Sequence, residues 1–291
     1  MSPRVSIGIP VYNGEDFLAV AIASIQAQTV QDVEIIISDN ASTDATRDIC
    51  LEFAADDDRI RYLRNEKNLG GPANTNRLVH EARAPLFKWA YADDVCGPDL
   101  LQDCIDALDS SPDSVLACPR VKKIDEHGAV QFEHQDADLG FDAPEPHVRL
   151  QRIFRTYGEQ ALFGVIRTDA LRRTRLVQPL LADGFMLMTE LCLMGTFPQT
   201  RSQEMYIRVH SGHFGASRKS QFRWIGADRR RDRVFAYTRT TGHLLEIIRR
   251  SDLPDDEKRR CRSVVYRDWA IRNWRSSASD VRHLFSDLKA T

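Results

Sequence analysis

From Val5 to Ile124 the chain alternates two kinds of hydrophobic pattern. Val5–Tyr12 (VSIGIPVY) is a continuous apolar run, as expected of a strand buried on both faces. Phe17–Thr29 (FLAVAIASIQAQT) spaces its apolar residues at the helical period. Val33–Asp39 (VEIIISD) is a second buried strand. Asn40–Asp44 (NASTD) then offers Ser, Thr and Asp as N-caps for a helix over Ala45–Asp56. A third strand is predicted at Ile60–Asn65, then a glycine-rich loop (NLGGPAN, Asn68–Asn74) and a helix over Thr75–Arg83. Leu86–Ala92 is a fourth strand, Pro98–Ser111 a helix, and Ser114–Asp125 a fifth strand. This β-α-β-α-β-α-β-α-β order implies an α/β fold, a largely parallel sheet with helices on both faces.

The remainder is less regular. Gln131–His147 shows no period and many turn formers, and reads as a surface loop over the crevice. Ala161–Arg167 is a further strand, followed by a capped helix (TDALRRT). Asp183–Gly195 (DGFMLMTELCLMG) is a helix apolar almost all round, and Glu204–His213 a late strand running into a loop. From about Phe222 the chain reads as helical and basic.

In open parallel sheets, ligands bind outside the carboxyl ends of the strands. Three polar clusters fall at such ends: PVYNGED, SDNASTD and YADD. Adjacent Asp93 and Asp94 are the sharpest of these, because side-by-side carboxylates repel unless a cation or a set of donors sits between them.

Composition excludes several classes. The 291 residues are 42% apolar and 28% charged, an ordinary globular balance. No apolar run approaches the ~20 residues of a membrane span, and the N-terminal stretch is not a signal peptide. The expected location is therefore the cytoplasm. Six scattered cysteines without a C-x-x-C read as buried free thiols. Residues 218–291 hold 19 Lys/Arg against 10 Asp/Glu, whereas residues 1–217 hold 21 against 32. A basic tail on an acidic body points to an anion, a phosphate or a membrane surface, or else to solvated helix faces.

Together, VSIGIPVYNGEDFLAVAIASIQAQT, VEIIISDNASTD, NLGGPANTN and KWAYADD…PDLL resemble the family 2 glycosyltransferases of the GT-A fold. The resemblance is strong over Pro3–Ile124, weaker over Ala161–Ser217 and absent in the tail. It implies a Rossmann-like GT-A domain over 1–217, with a nucleotide-binding half at 1–124 and an acceptor-binding half at 125–217. A basic helical C-terminal region would follow at 218–291. It also implies a UDP-, dTDP- or GDP-sugar donor, a Mg²⁺ or Mn²⁺ ion and inversion at the anomeric carbon.

Carried over, Pro10, Tyr12, Asn13 and Glu15 would line the nucleotide pocket. Asp39 would accept from the base, with Asn40 and Ser42 beside it, and Gly70 and Gly71 would let the backbone come close. Asp93 would hold the ribose and Asp94 the metal. The family's D-x-D reads Tyr91-Ala92-Asp93 here, so its first acid is missing; a D-D pair also occurs in the family. His210 (RVHSGH), with Arg208 and Arg218 near it, matches a histidine close to the metal and diphosphate.

Inverting transfer needs a base for the acceptor's proton, and family members place an acid at the start of a helix. Asp183 and Glu190 are the candidates, two turns apart on one helix face. Asp183 also reads as an N-cap and Glu190 as a structural ion pair. The acceptor is a glycan, a lipid-linked sugar or a small molecule, with peripheral membrane contact through the tail as a further expectation.

Competing readings are weaker. A dinucleotide oxidoreductase lacks its G-x-G-x-x-G, and a sugar-nucleotide pyrophosphorylase lacks its early basic phosphate loop. A nucleic-acid binder would rest on the tail alone, without interleaved aromatics. A degenerate sugar-nucleotide binder without a working base stays open.

Overall fold

The computed structural model describes residues 2–133, 139–156, 158–200, 205–210, 222, 224–225 and 236–273. The α/β order is present: β1 (Val5–Val11), α1 (Leu18–Gln26), β2 (Val33–Asp39), α2 (Thr46–Asp56), β3 (Ile60–Arg64), α3 (Gly71–Glu81) and β4 (Leu86–Trp89). Strands β3-β2-β1-β4 pair in parallel in that order. Period-2 alternation sends their side chains to two cores. Ile36, Phe87 and Trp89 enter one hydrophobic cluster. Ile35, Ile37 and Leu86 enter the other, with α1, α2 and the later helix α4 (Leu100–Asp109).

The central sheet is mostly parallel as expected, and two details go beyond the sequence reading. β9 (Val165–Arg167) joins β4 antiparallel, and β6 (Leu116–Ala117) joins β9 antiparallel, completing a six-stranded mixed sheet. The single strand expected over Ser114–Asp125 is two strands, β6 and β7 (Val121–Ile124), in different sheets. Pro119 lies between them; it has no N–H to donate to a ladder, so the chain changes sheet there.

The second sheet runs β5 (Val95–Cys96), β10 (Met205–Arg208), β7, β8 (Val130–Glu133). β8 occupies the start of the stretch expected to be a loop, and residues 134–138 of that stretch lie outside the described residues.

Helices α5 (Pro146–Thr156), α6 (Thr168–Arg172) and α7 (Asp183–Met194) precede β10, and a 3₁₀ turn at Gly158–Phe163 precedes β9. A C-terminal helical extension follows: α8 (Ala236–Arg250), α9 (Asp255–Val264) and a π-helical turn at Val265–Ala270. Leu244, Ile247, Ile248, Cys261, Val264, Val265 and Trp269 of this extension enter the same cluster as α5 and α7. The cationic run Arg229–Arg231 and Arg218 lie outside the described residues. All six cysteines are free and buried. Among the described residues no helix is long and apolar enough to cross a membrane.

Candidate active site

The ends of β1 and β2 are laced together. Asn13, in the left-handed region at φ 52°, donates its N–H to Ser42 Oγ at 2.9 Å, and its Oδ1 accepts the Thr43 N–H at 2.8 Å. Glu15 Oε2 accepts the Ala45 N–H at 2.9 Å. Pro10 pairs opposite Ser38 in the ladder, and Tyr12, 49% exposed, presents its ring on the rim.

Asp39 is fully buried at the end of β2. Its Oδ1 accepts the Ser42 N–H at 2.8 Å; its Oδ2 accepts the Tyr62 hydroxyl at 2.7 Å and the Arg64 guanidinium. Burial pushes the carboxyl up, but the hydrogen bonds from Ser42 and Tyr62 and the Arg64 charge outweigh it. The net shift is below the ordinary carboxylate value. The Ser42 hydroxyl is a further donor to the carboxylate, so its roughly four acceptor positions are filled from within the protein.

Asn40, expected beside the nucleotide, is engaged within the protein. Its Nδ2 donates to Asn68 Oδ1 (3.0 Å) and the Gly70 carbonyl (3.3 Å); its Oδ1 accepts from Asn65 Nδ2 (3.0 Å) and the Leu69 N–H (2.9 Å). Its whole hydrogen-bonding capacity goes into holding the glycine-rich loop. Gly70 takes φ 84°, a conformation costly for any side chain, and starts α3. At Gly71 the close approach is made by a side chain of the protein. A Cβ there would lie 2.2 Å from the Trp224 indole.

The acidic pair follows β4. Asp93 and Asp94 are clamped by Arg208, the last residue of β10. The Arg208 N–H donates to Asp94 Oδ1 at 2.9 Å, its Nε to the Asp93 carbonyl at 3.0 Å, and its Nη1 to the Asp125 carbonyl at 2.9 Å. The guanidinium carbon lies 4.7 Å from the centre of the Phe17 ring. His210, expected beside a metal held by Asp94, has its Nε2 3.1 Å from Oδ2 of the adjacent Asp93, with Phe17 against its ring.

Burial, and after it the neighbouring Asp93 charge, hold the Asp94 carboxyl well above the usual carboxylate range; the Arg208 hydrogen bond and the Lys88 charge oppose this. Lys88 itself is fully buried in β4 and donates to the Phe163 carbonyl. Among the described residues no three or more His, Cys, Asp or Glu side chains gather as a metal cage. Two adjacent carboxylates whose like charges push the Asp94 carboxyl up do fit a hard cation that completes its shell with waters and substrate phosphates.

A cavity of about 540 Å³ opens beside the pair and is lined by Asp93, Asp94 and Asp183 together. Asp183 is the first residue of α7; the N-cap is Ala182, so Asp183 is not the cap. Ala182 is held in the left-handed conformation at φ 57°, a strained setting for a residue with a Cβ, and lines the cavity too.

Glu190, the other candidate, is not among the lining residues. Its Oε1 accepts Arg175 Nε at 2.8 Å and its Oε2 the Arg175 N–H at 2.8 Å. Glu190 is thus the ion-pair partner of Arg175, the structural reading that the sequence also offered. Lys123, Trp224, Tyr237 and Trp269 also line the cavity. They escaped the sequence reading because they carry no motif and come from separate elements.

The fold has known counterparts. TarS from S. aureus in complex with UDP-GlcNAc superposes with a TM-score of 0.71 at 17% identity, over 92% of this chain and 72% of that one. A mannosyltransferase from Pyrobaculum calidifontis in complex with GDP-Man and Mn²⁺ gives 0.55 at 14% identity, over 98% and 76%. In sequence, an uncharacterized glycosyltransferase of Methanocaldococcus jannaschii is 34% identical over 141 residues, 48% of this chain and 49% of that protein. The GalNAc(5)-diNAcBac-PP-undecaprenol beta-1,3-glucosyltransferase of Campylobacter jejuni is 37% identical over 93 residues, 32% of this chain and 30% of that one. The chain thus spans about half or less of the length of these curated relatives. Residues 6–176, more than half of the chain, match the profile described as "Glycosyl transferase family 2", and the chain belongs to that family.

Proposed function

We propose that the protein transfers a sugar from a nucleoside-diphosphate sugar to an acceptor hydroxyl, with inversion, in a single displacement. The observation that carries this reading is the convergence of Asp93, Asp94 and Asp183 on one cavity. An acidic pair beside the leaving diphosphate and a third carboxylate across the cavity are what such a displacement requires.

The nucleotide-side groups are Asp39 at the end of β2, the exposed Tyr12 ring, and the loop ends that Asn13, Ser42 and Asn40 hold in place. Asp93 holds the ribose, oriented by His210. Asp94 would hold a Mg²⁺ or Mn²⁺ ion, whose chemistry there is neutralisation of the charge developing on the diphosphate. Arg208 fixes both acids through its main chain and side chain.

In the transfer, the acceptor oxygen bonds to the anomeric carbon. The bond from that carbon to the diphosphate oxygen breaks, and its electron pair leaves with the nucleoside diphosphate. Asp183 takes the acceptor's proton, contributing roughly 10²–10⁴ to the rate.

Thermal stabilisation by UDP, dTDP and GDP, each with and without Mn²⁺, tests the donor half of this reading. One nucleotide should give a metal-dependent shift that Asp94→Asn abolishes. No shift with any nucleotide would leave the fold without this function.

A further inference from the structure

Resting on the transferase reading, we infer that Lys123 is a catalytic residue: its ammonium binds the sugar-bearing phosphate of the donor and stabilises the negative charge which that phosphate gains as the sugar leaves. Two observations carry this. One is the face of the small sheet that Lys123 occupies. The other is that its ammonium has no partner among the described residues.

The ladder fixes the face. β7 lies beside β10, with Lys122 opposite Tyr206, Lys123 opposite Ile207 and Ile124 opposite Arg208. Successive side chains of a strand point to opposite faces. Tyr206, Ile124 and Arg208 line a groove on one face. Lys123 and Ile207 line the cavity of Asp93, Asp94 and Asp183 on the other. β5, which follows Asp94 directly, pairs with β10 along its other edge. Lys123 therefore stands two strands from the acidic turn, roughly 10 Å across the sheet, and opens onto the same cavity.

Lys123 is half-buried, and among the described residues it makes no hydrogen bond or ion pair. The cavity's acids have other partners. Asp268 accepts from Arg155 Nε at 2.8 Å and Arg267 Nε at 2.9 Å. Asp93 has His210 against it, and Asp94 accepts the Arg208 N–H with the Lys88 charge nearby. The other cation of the lining, Arg272, donates to the Phe154 carbonyl at 3.0 Å. The three N–H donors of Lys123 are thus unspent in a cavity whose acids are served from elsewhere.

The transfer supplies the anion that such a cation fits. When the bond to the anomeric carbon breaks, its electron pair stays on an oxygen of the sugar-bearing phosphate, which gains a negative charge there. A positive group already in place meets that charge without reorganising. Lysine suits the task as a compact point charge on a flexible stem, able to reach one phosphate oxygen with any of its donors. Lys122, which alternation turns to the opposite face, carries the same charge and supplies the control.

Calorimetric titration of the intact protein in saturating Mn²⁺ tests this, with UMP and UDP, dTMP and dTDP, and GMP and GDP as probes. Wild type is compared with Lys123→Met, Lys123→Arg and Lys122→Met. For the base that binds, Lys123→Met should weaken the diphosphate roughly 10–100-fold and leave the monophosphate unchanged. Lys123→Arg keeps the charge and should restore most of the lost affinity. Lys122→Met should leave both ligands unchanged. If Lys123→Met fails to fold, Lys123→Gln takes its place. Full diphosphate affinity in Lys123→Met, or an equal loss in Lys122→Met, overturns the inference and leaves the transferase reading intact. Equal losses for the mono- and the diphosphate put Lys123 away from the sugar-bearing phosphate and overturn it too. A wild type that binds no diphosphate removes the transferase reading, and this inference with it.

Discussion

The main-chain N–H of Arg208 donates to Asp94 Oδ1 at 2.9 Å, joining β10 to the acidic turn after β4 across 114 residues of sequence. Asn at position 94 would keep an oxygen for that N–H while removing a buried charge that the fold disfavours. Asp94→Asn should therefore melt at the wild-type temperature or above it without ligand, yet lose the Mn²⁺-dependent nucleotide shift. Asp94→Ala, which strands the Arg208 N–H, should lose about 1–3 kcal/mol of stability. Retention of a full nucleotide shift in Asp94→Asn would take the ion away from this residue.

Asp183 and Glu190 separate cleanly in their expected phenotypes. Asp183 lines the cavity, so Asp183→Asn should lower turnover by roughly 10²–10⁴ while leaving the nucleotide shift intact. Glu190 holds Arg175 through two contacts, so Glu190→Gln should cost about 1–3 kcal/mol of stability with turnover per folded molecule unchanged. Melting curves and steady-state kinetics on both variants check this. A Glu190→Gln protein of full stability and no turnover would reverse the assignment of the base.

Gly71 and Trp224 are coupled by space alone. Three indole atoms lie 2.2–2.5 Å from where a Cβ at position 71 would stand, too close for any real contact. Gly71→Ala must push the indole away and should destabilise by about 1–3 kcal/mol, as overpacking does. Trp224→Ala opens the space, so the double variant should recover the loss that Gly71→Ala causes, with a coupling of about 0.5–3 kcal/mol. Additive losses in the double-mutant cycle would show that the glycine serves the loop's backbone instead.

The parallel half of the fold was legible because each strand there is a continuous apolar run ending in polar residues. The strands read at Val5–Tyr12 and Val33–Asp39 are present, the first ending at Val11, and Asp93, Asp94 and Asp183 line one cavity. Non-local partners were what the pattern could not show. That β9 enters antiparallel depends on where the chain returns, not on the composition of Val165–Arg167. Asn40 looked like a ligand residue because it follows Asp39, but Asn65, Asn68 and Leu69, supplied by the following strand and loop, claim its side chain. The aromatic side of the cavity was invisible for the same reason: Phe154, Phe185, Tyr237 and Trp269, which line it, lie on four separate elements and share no spacing.

Asp39 gives the fold an acid-sensitive contact whose sign follows from its environment. Burial raises its carboxyl, but Ser42, Tyr62 and Arg64 together bring it below the ordinary value. A carboxyl depressed in the folded state contributes stability that is present above its unfolded value of about 3.9 and is lost as pH falls through the folded value. Tyr62→Phe removes the hydroxyl that donates to Oδ2 at 2.7 Å, so this contribution shrinks in the variant. The stability gap between wild type and Tyr62→Phe should be about 1–2 kcal/mol near neutrality, and should narrow as pH is lowered past about 4. Urea midpoints measured from neutrality into acid check it. A gap that stays constant across that range would mean that the Tyr62 hydroxyl stabilises the fold by something other than its bond to the ionised Asp39 carboxylate.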